Sequence, residues 1–295
     1  MLCSLGSEHG TLWDAGVGGN DVGGNDVGGN DMEDDRVMID QTLWPRDVEV
    51  RWIDDMNDSA HNLALEQTLG EAVAHGEIRP LVRIWRSALA QGIGVSRRDV
   101  SGDAGLAAMN EMKQSGWDVV VRNTGGTAVP EGPGVVHLSY LFPRDARKVT
   151  TDAYYRILCQ PLIAWLETLG LQAVTGALPG SYCDGTYNIL VDNKKLVGTA
   201  QAWRGGLAGV KSNRPGYILA HACMVVDVDM VAAAERINRF YARAGNDYRV
   251  HPETSTALRD LVPDRFQGMT PFEAATSVAN DWVTWYSAQV ADVRR

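Results

Sequence analysis

The sequence predicts an α+β fold in which a mixed, largely antiparallel β-sheet is flanked by helices. Short segments that are apolar, or that alternate apolar with polar residues, recur along the chain between glycine, asparagine and aspartate residues, as strands do. Several of these segments follow one another closely enough to form hairpins, which join antiparallel strands. Longer segments with helical periodicity separate the groups of strands. This arrangement favours an α+β sheet over a doubly wound parallel sheet.

The first half of the chain carries signals for strands and for two helices. Alternation predicts a strand over residues 48–52, and a capping cluster of Asn, Asp and Ser at residues 57–59 precedes a helix through residues 62–74. Apolar segments at residues 81–85 and 92–96 are predicted to form a pair of strands. The remaining elements predicted here are a helix at residues 105–114 and strands at residues 117–122 and 135–141.

The second half begins with a long amphipathic helix, predicted over residues 152–169. Two apolar segments, residues 187–191 and 195–197, flank Asp192 and Asn193. Because Asp and Asn tolerate the backbone conformations of tight turns, a hairpin is predicted there. The other elements predicted in this half are a strand at residues 217–226 and helices at residues 230–242 and 271–289.

Length and composition indicate a single catalytic domain over residues 45–295, preceded by a leader of residues 1–40. The 295 residues, 45% of them hydrophobic, suffice for a substantial core. Three Val-Gly-Gly-Asn-Asp repeats at residues 17–31 offer too little apolar area to offset the entropy lost by ordering their glycines, so the leader is expected to be disordered. Calcium-binding Gly/Asp repeats have a different period, and no metal site is predicted.

The charge distribution argues against nucleic acid as a partner. Of the net charge of −10, the leader supplies −8, because nine Asp and Glu stand there against one Arg. The remainder is nearly neutral and lacks a basic stripe that would neutralise phosphates. The four cysteines form no C-x-x-C pair, and no apolar stretch is long enough to span a membrane. A cytoplasmic protein without nucleic-acid or membrane partners is therefore expected.

Three glycine-containing segments hold the residues that could perform chemistry, whereas P-loop, dinucleotide-binding, zinc-peptidase and serine-esterase motifs are missing from the sequence. The first segment is Val120-Val-Arg122-Asn-Thr-Gly125-Gly126-Thr127-Ala-Val129, where a predicted strand ends in paired glycines. Its glycines allow backbone N–H groups to approach an anion, and Arg122 could pair with the same anion. From the residues alone, a plain turn with a surface arginine is an equal alternative.

The second segment, Gly180-Ser-Tyr-Cys183-Asp-Gly185-Thr-Tyr187-Asn188, holds a cysteine between glycines and polar residues. Buried structural cysteines normally lie among apolar residues, as Cys159 and Cys223 do in the sequence. Cys183 is therefore the best candidate for a reactive thiolate, and a cysteine without a catalytic role is the alternative that the residues alone leave open.

The third segment, Asp192-Asn-Lys194-Lys195-Leu-Val-Gly198-Thr-Ala-Gln201, includes the turn and the second strand of the predicted hairpin. Adjacent residues of a strand point to opposite faces, so only one of the two lysines can face the glycine-containing loops. Lys195 is predicted to face them and Lys194 to face solvent. Exposure of both lysines is the alternative that the residues leave open.

In order and spacing, these three segments resemble the lipoate protein ligase A and octanoyltransferase family of the biotin/lipoate protein ligase superfamily, over about residues 62–226. The first two segments are most similar to lipoyl amidotransferases, which move octanoyl from the glycine cleavage H protein to lipoyl domains. ATP-dependent ligases of the family generally lack the cysteine. The matching stretches are Arg122-Asn-Thr-Gly-Gly126 with Ala128-Val129, Gly180-Ser-Tyr-Cys183, and Lys195-Leu-Val-Gly198.

The resemblance implies a biotin/lipoyl protein ligase-like catalytic domain, in which a curved sheet holds the acyl chain in a tunnel. It implies that Cys183 and Lys195 are catalytic, with Lys195 near the substrate carbonyl. Asn62 and Glu66 match a helix of the family that carries similar residues. The substrate-binding residues that it implies are Arg122, Gly125, Gly126, Thr127, Asn62, Tyr187, Asn188, Gly198, Thr199 and Ala200.

Four residues depart from the family pattern. Asp184 stands where the family has proline, and Asn188 stands where it has aspartate. Val121 stands where many ligases have a second arginine, which weakens the case for ATP use more than the case for acyl transfer. His137 stands where asparagine is more usual, and it is expected to be a hydrogen-bonded strand residue rather than a general base.

The expected reaction proceeds through a Cys183 thioester. The thiolate attacks the acyl carbonyl of a donor, either the glycine cleavage H protein or acyl carrier protein, and a lysine of a lipoyl domain of the 2-oxoacid dehydrogenases then attacks the thioester. Lys195 is expected to lower the pKa of the thiol and to stabilise the oxyanion. This transfer requires no cofactor. The alternatives are an ATP-dependent lipoate ligase, which would use ATP and Mg²⁺, and a non-catalytic domain that binds lipoyl carriers.

Overall fold

Strand and helix boundaries follow the hydrophobic periodicity of the sequence. The computed structural model describes residues 43–144, 149–206 and 215–293, and the predicted disordered leader lies outside them. The strands are β1 (Glu49–Trp52), β2 (Leu81–Arg86), β3 (Gly92–Ser96), β4 (Asp118–Arg122), β5 (Val129–Glu131), β6 (Val135–Pro143), β7 (Ala173–Gly176), β8 (Asn188–Val191), β9 (Lys194–Arg204) and β10 (Tyr217–Val225). The helices are α1 (Ser59–Ala74), α2 (Asp103–Gln114), α3 (Thr151–Thr168), α4 (Met230–Arg243), α5 (Leu258–Leu261) and α6 (Pro271–Val293).

The strands form two sheets. The larger sheet has seven strands in the order β1-β2-β6-β10-β9-β8-β7, and all neighbours are antiparallel except β1 and β2. The smaller sheet has the order β4-β3-β5, with a parallel and an antiparallel pair. The predicted mixed, largely antiparallel α+β class is therefore confirmed. The short strands β5 and β7 and the short helix α5 were not predicted.

The predicted pairing of the segments at residues 81–85 and 92–96 is wrong. Both are strands, but β2 lies between β1 and β6 in the larger sheet, and β3 is the central strand of the smaller one. Gly92 explains part of the difference, because a Cβ at this position would lie 2.5 Å from the carbonyl oxygen of Asp118 on β4. The missing side chain allows β3 to pack tightly on a strand distant in sequence rather than to turn back on β2.

Alternation divides the larger sheet into an apolar face and a second face on which polar residues adjoin a smaller hydrophobic cluster. Even-numbered residues of β10, such as Ala220 and Met224, belong to the main core together with residues of α3 and α6. Odd-numbered residues lie on the other face, since successive strand residues point to opposite sides. Helix α1 packs against β6 and β10. The polar and aromatic residues on that second face include Arg83, Trp85, His137, Ser139, His221 and Cys223.

The hairpin between β8 and β9 confirms the predicted turn. Asp192 and Asn193 have φ values of 50° and 57°, which a two-residue hairpin turn with both central residues in the left-handed region requires. The turn fixes which way the next two residues face. Lys194 is exposed, whereas Lys195 is fully buried, at 0% exposure. No helix in the described ranges is both long and apolar enough to cross a membrane.

Candidate active site

Cys183 lies in the loop between β7 and β8, in a backbone conformation that residues other than glycine seldom adopt, with φ of 50°. Its N–H donates to Thr127 Oγ1 at 2.7 Å, and its carbonyl accepts from Asn188 Nδ2 at 2.6 Å and from Lys195 Nζ at 2.7 Å. Such a conformation costs on the order of 1–3 kcal/mol and persists where neighbouring groups fix it. Contacts from all three sequence segments therefore determine where the thiol lies.

Lys195 is buried against the backbone on both sides of the thiol. Its ammonium donates to the carbonyls of Tyr182 and Cys183 and lies 4.1 Å from the centre of the Tyr182 ring. Burial lowers the pKa of Lys195 to about 8, although the negative charge available at Cys183 opposes this shift. As predicted, Lys195 is turned toward the site, whereas Lys194 is exposed to solvent. Lys195 was expected to lie near the substrate carbonyl. Among the described residues, its hydrogen bonds go instead to the backbone carbonyls of Tyr182 and Cys183.

Because Gly126 has no side chain, the Arg122 guanidinium lies close to the Cys183 thiol as a second cation. Gly126 has a φ of 96°, and a Cβ added to it would overlap Cys183 Sγ and lie 3.1 Å from a guanidinium nitrogen of Arg122. The thiol and the guanidinium therefore lie against the same glycine. Arg122 also donates to the carbonyl of Thr127, and its buried Nε has no hydrogen-bond partner within the described residues. This arrangement adds a positive charge beside the sulfur.

Two spaces meet at Cys183. An outer cleft of about 300 Å³ opens from the thiol toward the surface, and it is lined by Gly125, Gly126, Thr127, Tyr155, Cys183, Asp184, Gly185, Thr199, Ala200 and Gln201. An inner cavity lies on the other side, and its 20 Å³ hold about one water molecule. The inner cavity is lined by Leu63, Glu66, Arg122, Thr124, Val129, Glu131, Cys183, Gly198, Thr199, Ala200, His221 and Cys223.

A network of buried carboxylates and imidazoles borders the inner cavity. Glu66 Oε1 lies 2.8 Å from His221 Nδ1 and accepts from the Ser139 hydroxyl. The two imidazoles are linked at 3.2 Å between His221 Nε2 and His137 Nδ1, and His137 Nε2 lies 3.0 Å from Glu131 Oε2. His137 is thus a hydrogen-bonded strand residue, as predicted.

The carboxylates of this network are ionised despite their burial. Burial alone would raise the pKa of Glu66, but the interactions with His221, Arg83 and Ser139 lower it to about 2. The pKa of Glu131 is lowered in the same sense, because attraction and hydrogen bonding to His137 outweigh burial. Burial lowers the pKa of His137 itself. The inner cavity therefore borders two negative charges as well as Arg122.

Not every residue expected to bind substrate lines a cavity. Gly125, Gly126 and Thr127 line the outer cleft, Arg122 and Gly198 line the inner cavity, and Thr199 and Ala200 line both. The remaining three lie behind these walls: Asn62, Tyr187 and Asn188.

The contacts of these three residues are with the protein itself. The amide of Asn62 bonds to the backbone of Asp55 at 2.7 Å. Asn188 holds the Cys183 carbonyl, and the Tyr187 ring stacks on Tyr155 at 4.7 Å between centroids. These contacts support the walls of the site rather than form them.

Three cavity residues lack a local sequence signal. Glu131, His221 and Cys223 line the inner cavity, but none of them lies in the three segments described above. Alternation on β10 would have placed His221 and Cys223 on the polar face of a strand. Their proximity to Glu131, which lies on β5 of the smaller sheet, depends on contacts between the two sheets that sequence alone does not reveal. Within the described ranges, no group of three or more His, Cys, Asp and Glu residues is placed to hold a metal ion.

Substitution of Gly126 with Ala is expected to slow acylation of Cys183 by about tenfold or more, since the methyl group overlaps Sγ and the residue must hold a left-handed φ. Gly125 provides a matched control, because a Cβ at that position meets no atom within 4 Å and its φ is not positive. The acylation rates of Gly126→Ala and Gly125→Ala, measured by rapid quench, check this prediction. Equal rates for the two variants would contradict the proposed packing of the thiol on Gly126.

Solved structures of lipoate ligases share this fold. Lipoate-protein ligase A bound with ATP matches with a TM-score of 0.57 and 18% identity, covering 82% of this chain and 86% of that one. A putative lipoate protein ligase of T. acidophilum with bound lipoic acid matches with a TM-score of 0.53 and 19% identity, covering 80% and 83%. At such identities the likeness concerns the fold alone, and it confirms the predicted one.

Sequence comparison gives the family. The chain is 37% identical over 224 residues to the octanoyl-[GcvH]:protein N-octanoyltransferase of Kyrpidia tusciae, covering 75% of this chain and 76% of that protein. It is 24% identical over 239 residues to the lipoyl-[GcvH]:protein N-lipoyltransferase of Listeria monocytogenes, covering 78% and 81%. Residues 58–279 match the family model described as "Lipoyl protein ligase A/B catalytic domain". With most of its length matched, this chain belongs to the lipoyl protein ligase A/B catalytic domain family.

Proposed function

We propose that this protein is an acyltransferase that moves an octanoyl or lipoyl group from a carrier protein to a lysine of a lipoyl domain through a thioester on Cys183. The observation that carries the proposal is the position of Cys183, in a fixed left-handed conformation at the junction of the outer cleft and the inner cavity. The relatives named as octanoyl- and lipoyltransferases support the same chemistry.

The transfer has two half-reactions. In the first, the Cys183 thiolate forms a bond to the acyl carbon of the donor, the bond from that carbon to the carrier breaks, and the leaving group takes up a proton. In the second, the ε-amine of the acceptor lysine attacks the thioester carbon. The carbon–sulfur bond breaks, the thiolate is restored, and the new amide nitrogen loses its proton to water.

The charges around the thiol suit both steps. Arg122 lies with the thiol against Gly126, where a cation stabilises the thiolate. Lys195 holds the backbone at Tyr182 and Cys183, and it lies close enough to the loop to favour negative charge on the carbonyl oxygen during attack. The acyl chain extends from Cys183 into the inner cavity, which must widen on binding because it now has room for about one water molecule.

The donor carrier is the glycine cleavage H protein or acyl carrier protein, and the acceptor is a lipoyl domain of the 2-oxoacid dehydrogenases. The glycine cleavage H protein is preferred, since the relatives named above act on GcvH. The outer cleft, which opens to the surface at Cys183, receives the modified residue of the donor and later the acceptor lysine. The transfer requires neither ATP nor Mg²⁺. The donor carrier already holds the acyl group in a covalent bond, and that bond is exchanged for the thioester of Cys183.

Intact-mass measurement tests the proposal. The protein mixed with octanoylated carrier in the absence of ATP is expected to gain the mass of one octanoyl group, and peptide mapping should locate it on Cys183. An ATP-dependent ligase would instead release pyrophosphate from ATP and free lipoate without an acylated cysteine. A non-catalytic carrier-binding domain would bind the carrier and show no mass gain.

A further inference from the structure

We infer that Asp184 binds the amine of the acceptor lysine: its carboxylate attracts the ε-ammonium group into the outer cleft and stabilises the positive charge that develops on the nitrogen during transfer. The inference rests on the proposed function, because it concerns the second half-reaction of the acyl-enzyme on Cys183. It gives a role to a carboxylate that the two half-reactions described above do not use.

Asp184 supplies the negative charge of the outer cleft. It follows Cys183 directly in the chain and is exposed, and the other residues that line the cleft, the thiol of Cys183 apart, carry no ionisable charge at neutral pH. Within the described ranges, its carboxylate accepts no hydrogen bond and forms no ion pair. Lys195 is attracted to this carboxylate, but the hydrogen bonds of its ammonium go to the backbone carbonyls of Tyr182 and Cys183. The Asp184 carboxylate is therefore available to an incoming cation.

An aromatic wall beside Asp184 suits the side chain of a lysine. The outer cleft has a volume of about 300 Å³ and opens to the surface. Tyr155 lines it, and the ring of Tyr155 is held by stacking on Tyr187, with 4.7 Å between the ring centroids. A lysine packs its methylene groups along apolar surface and carries its charge at the tip, and an aromatic ring also attracts that charge. A lysine that follows this wall inward brings its amine to Cys183 and Asp184, which line the same cleft.

The charge of Asp184 acts on the transition state of the transfer. The bound ammonium loses a proton to water before the attack, because only the neutral amine is a nucleophile. As the nitrogen forms a bond to the thioester carbon, it becomes positive and the carbonyl oxygen becomes negative. Asp184 stabilises the first of these charges, and the cations Arg122 and Lys195 stabilise the second. The carbon–sulfur bond then breaks, the thiolate is restored, and the nitrogen loses its second proton to water.

This attraction raises the rate of transfer as well as the affinity for the acceptor. The carboxylate attracts the cationic nitrogen of the transition state but not the neutral amine that precedes it, and an interaction that is stronger in the transition state lowers the barrier. A thiol that attacks the same thioester develops no positive nitrogen. The inference therefore predicts that Asp184 favours amines over thiols as acyl acceptors.

Exchange of the preformed acyl-enzyme with an amine and with a thiol tests this prediction. The N-acetylcysteamine thioester of octanoate loads the enzyme: the Cys183 sulfur forms a bond to the acyl carbon, the carbon–sulfur bond of the probe breaks, and N-acetylcysteamine leaves as the thiol. After removal of the probe, the acyl-enzyme is mixed with Nα-acetyl-lysine methylamide or with N-acetylcysteamine, and intact mass follows the loss of octanoyl. In Asp184→Asn, the ratio of the amine rate to the thiol rate is expected to fall at least about tenfold, the range expected of one hydrogen bond to a charged group.

Three further variants separate charge from structure. Asp184→Glu keeps the carboxylate and should retain most of the wild-type ratio, whereas Asp184→Ala provides a second neutral substitution. Asp247→Asn is the matched control, since Asp247 is also exposed but lines a neighbouring cleft rather than the outer one, and it should keep the wild-type ratio. Melting temperatures identify any variant that does not fold.

Two outcomes would overturn the inference. One is a wild-type ratio in the folded neutral variants of Asp184, which would leave the carboxylate without a role in transfer. The other is an equal fall of the ratio in Asp247→Asn, which would assign the effect to the overall negative charge of the protein. Failure of the thioester probe to acylate Cys183 in the wild-type protein would contradict the proposed function itself, and it is thereby distinguishable from an acyl-enzyme whose exchange does not depend on Asp184.

Discussion

Replacement of Cys183 with Ala is expected to abolish both the acyl-enzyme and the transfer while leaving the protein folded. Only a thiolate at this position serves as nucleophile in the first half-reaction and as leaving group in the second. The expected loss exceeds about a thousandfold, as for the removal of other covalent nucleophiles. Stability should change little, because Ala meets the same backbone strain at φ 50° as Cys does. Intact mass, a transfer assay and thermal melting provide the three measurements.

Cys159→Ala is the matched control for this experiment. Cys159 is also a buried free cysteine, but it belongs to α3 and the main core. Burial raises the pKa of its thiol to about 12, so it carries no thiolate at neutral pH. The control variant should keep the acyl-enzyme at a slightly lower melting temperature. Continued transfer by Cys183→Ala would exclude the cysteine mechanism.

Local signals account for most of the secondary structure. The strand at β10 follows from a continuous apolar segment, and the hairpin at Asp192 and Asn193 follows from residues that accept positive φ. Strand partners are different, because pairing depends on contacts between segments far apart in sequence. The wrong pairing of β2 with β3 shows this limit: adjacency favoured a hairpin, whereas the tight fit of Gly92 on Asp118 directs β3 to β4.

The same distinction applies to the site. Cys183 and Lys195 lie in short glycine-containing segments whose composition is unusual for a core, so their segments could be identified from sequence. Glu131 and His221 are single polar residues in buried strands, and nothing beside them in sequence indicates that they meet. They are linked through His137: the antiparallel pairing of β10 with β6 brings His221 to His137, and Glu131 reaches His137 from β5 of the smaller sheet.

Asn62 was expected to contact substrate, but its side chain contacts the protein itself. Its position on α1 matched a helix of the family. The structure instead engages its side-chain oxygen with the N–H of Asp55 at 2.7 Å and with Arg83 at 3.3 Å. Glu66, one turn later on α1, lines the inner cavity. A helix position alone does not distinguish a wall residue from one that supports the wall.

Two cations near one thiol raise the question of which one serves the chemistry. Arg122 lies with the sulfur against Gly126. Lys195 contacts the backbone carbonyls on either side of Cys183 and has a pKa lowered by burial to about 8. Because Lys195 loses its proton near pH 8, the pH profiles of Lys195 variants can separate its contribution from that of Arg122.

Lys195→Ala is expected to reduce the acylation rate by roughly a hundredfold or more, the cost of removing one donor that stabilises an oxyanion. Lys194→Ala should have little effect, since Lys194 is exposed on the opposite face of β9. Because the variant also leaves the buried carbonyls of Tyr182 and Cys183 without their donor, part of the loss could come from a displaced loop. Thermal melting of both variants measures that part.

The pH dependence separates the charge of Lys195 from its packing. Below about pH 8 the ammonium is protonated, and it loses its proton as the pH rises through that value. The rate advantage of the wild-type protein over Lys195→Ala should therefore be greatest below about pH 8 and narrow above it. A role in packing alone would leave the ratio of the two rates independent of pH. Rapid-quench acylation rates of the wild type and both lysine variants between pH 6 and 10 provide the test. A ratio that stays constant would assign the oxyanion to Arg122 and the backbone, and a larger loss for Lys194→Ala would contradict the register of β9.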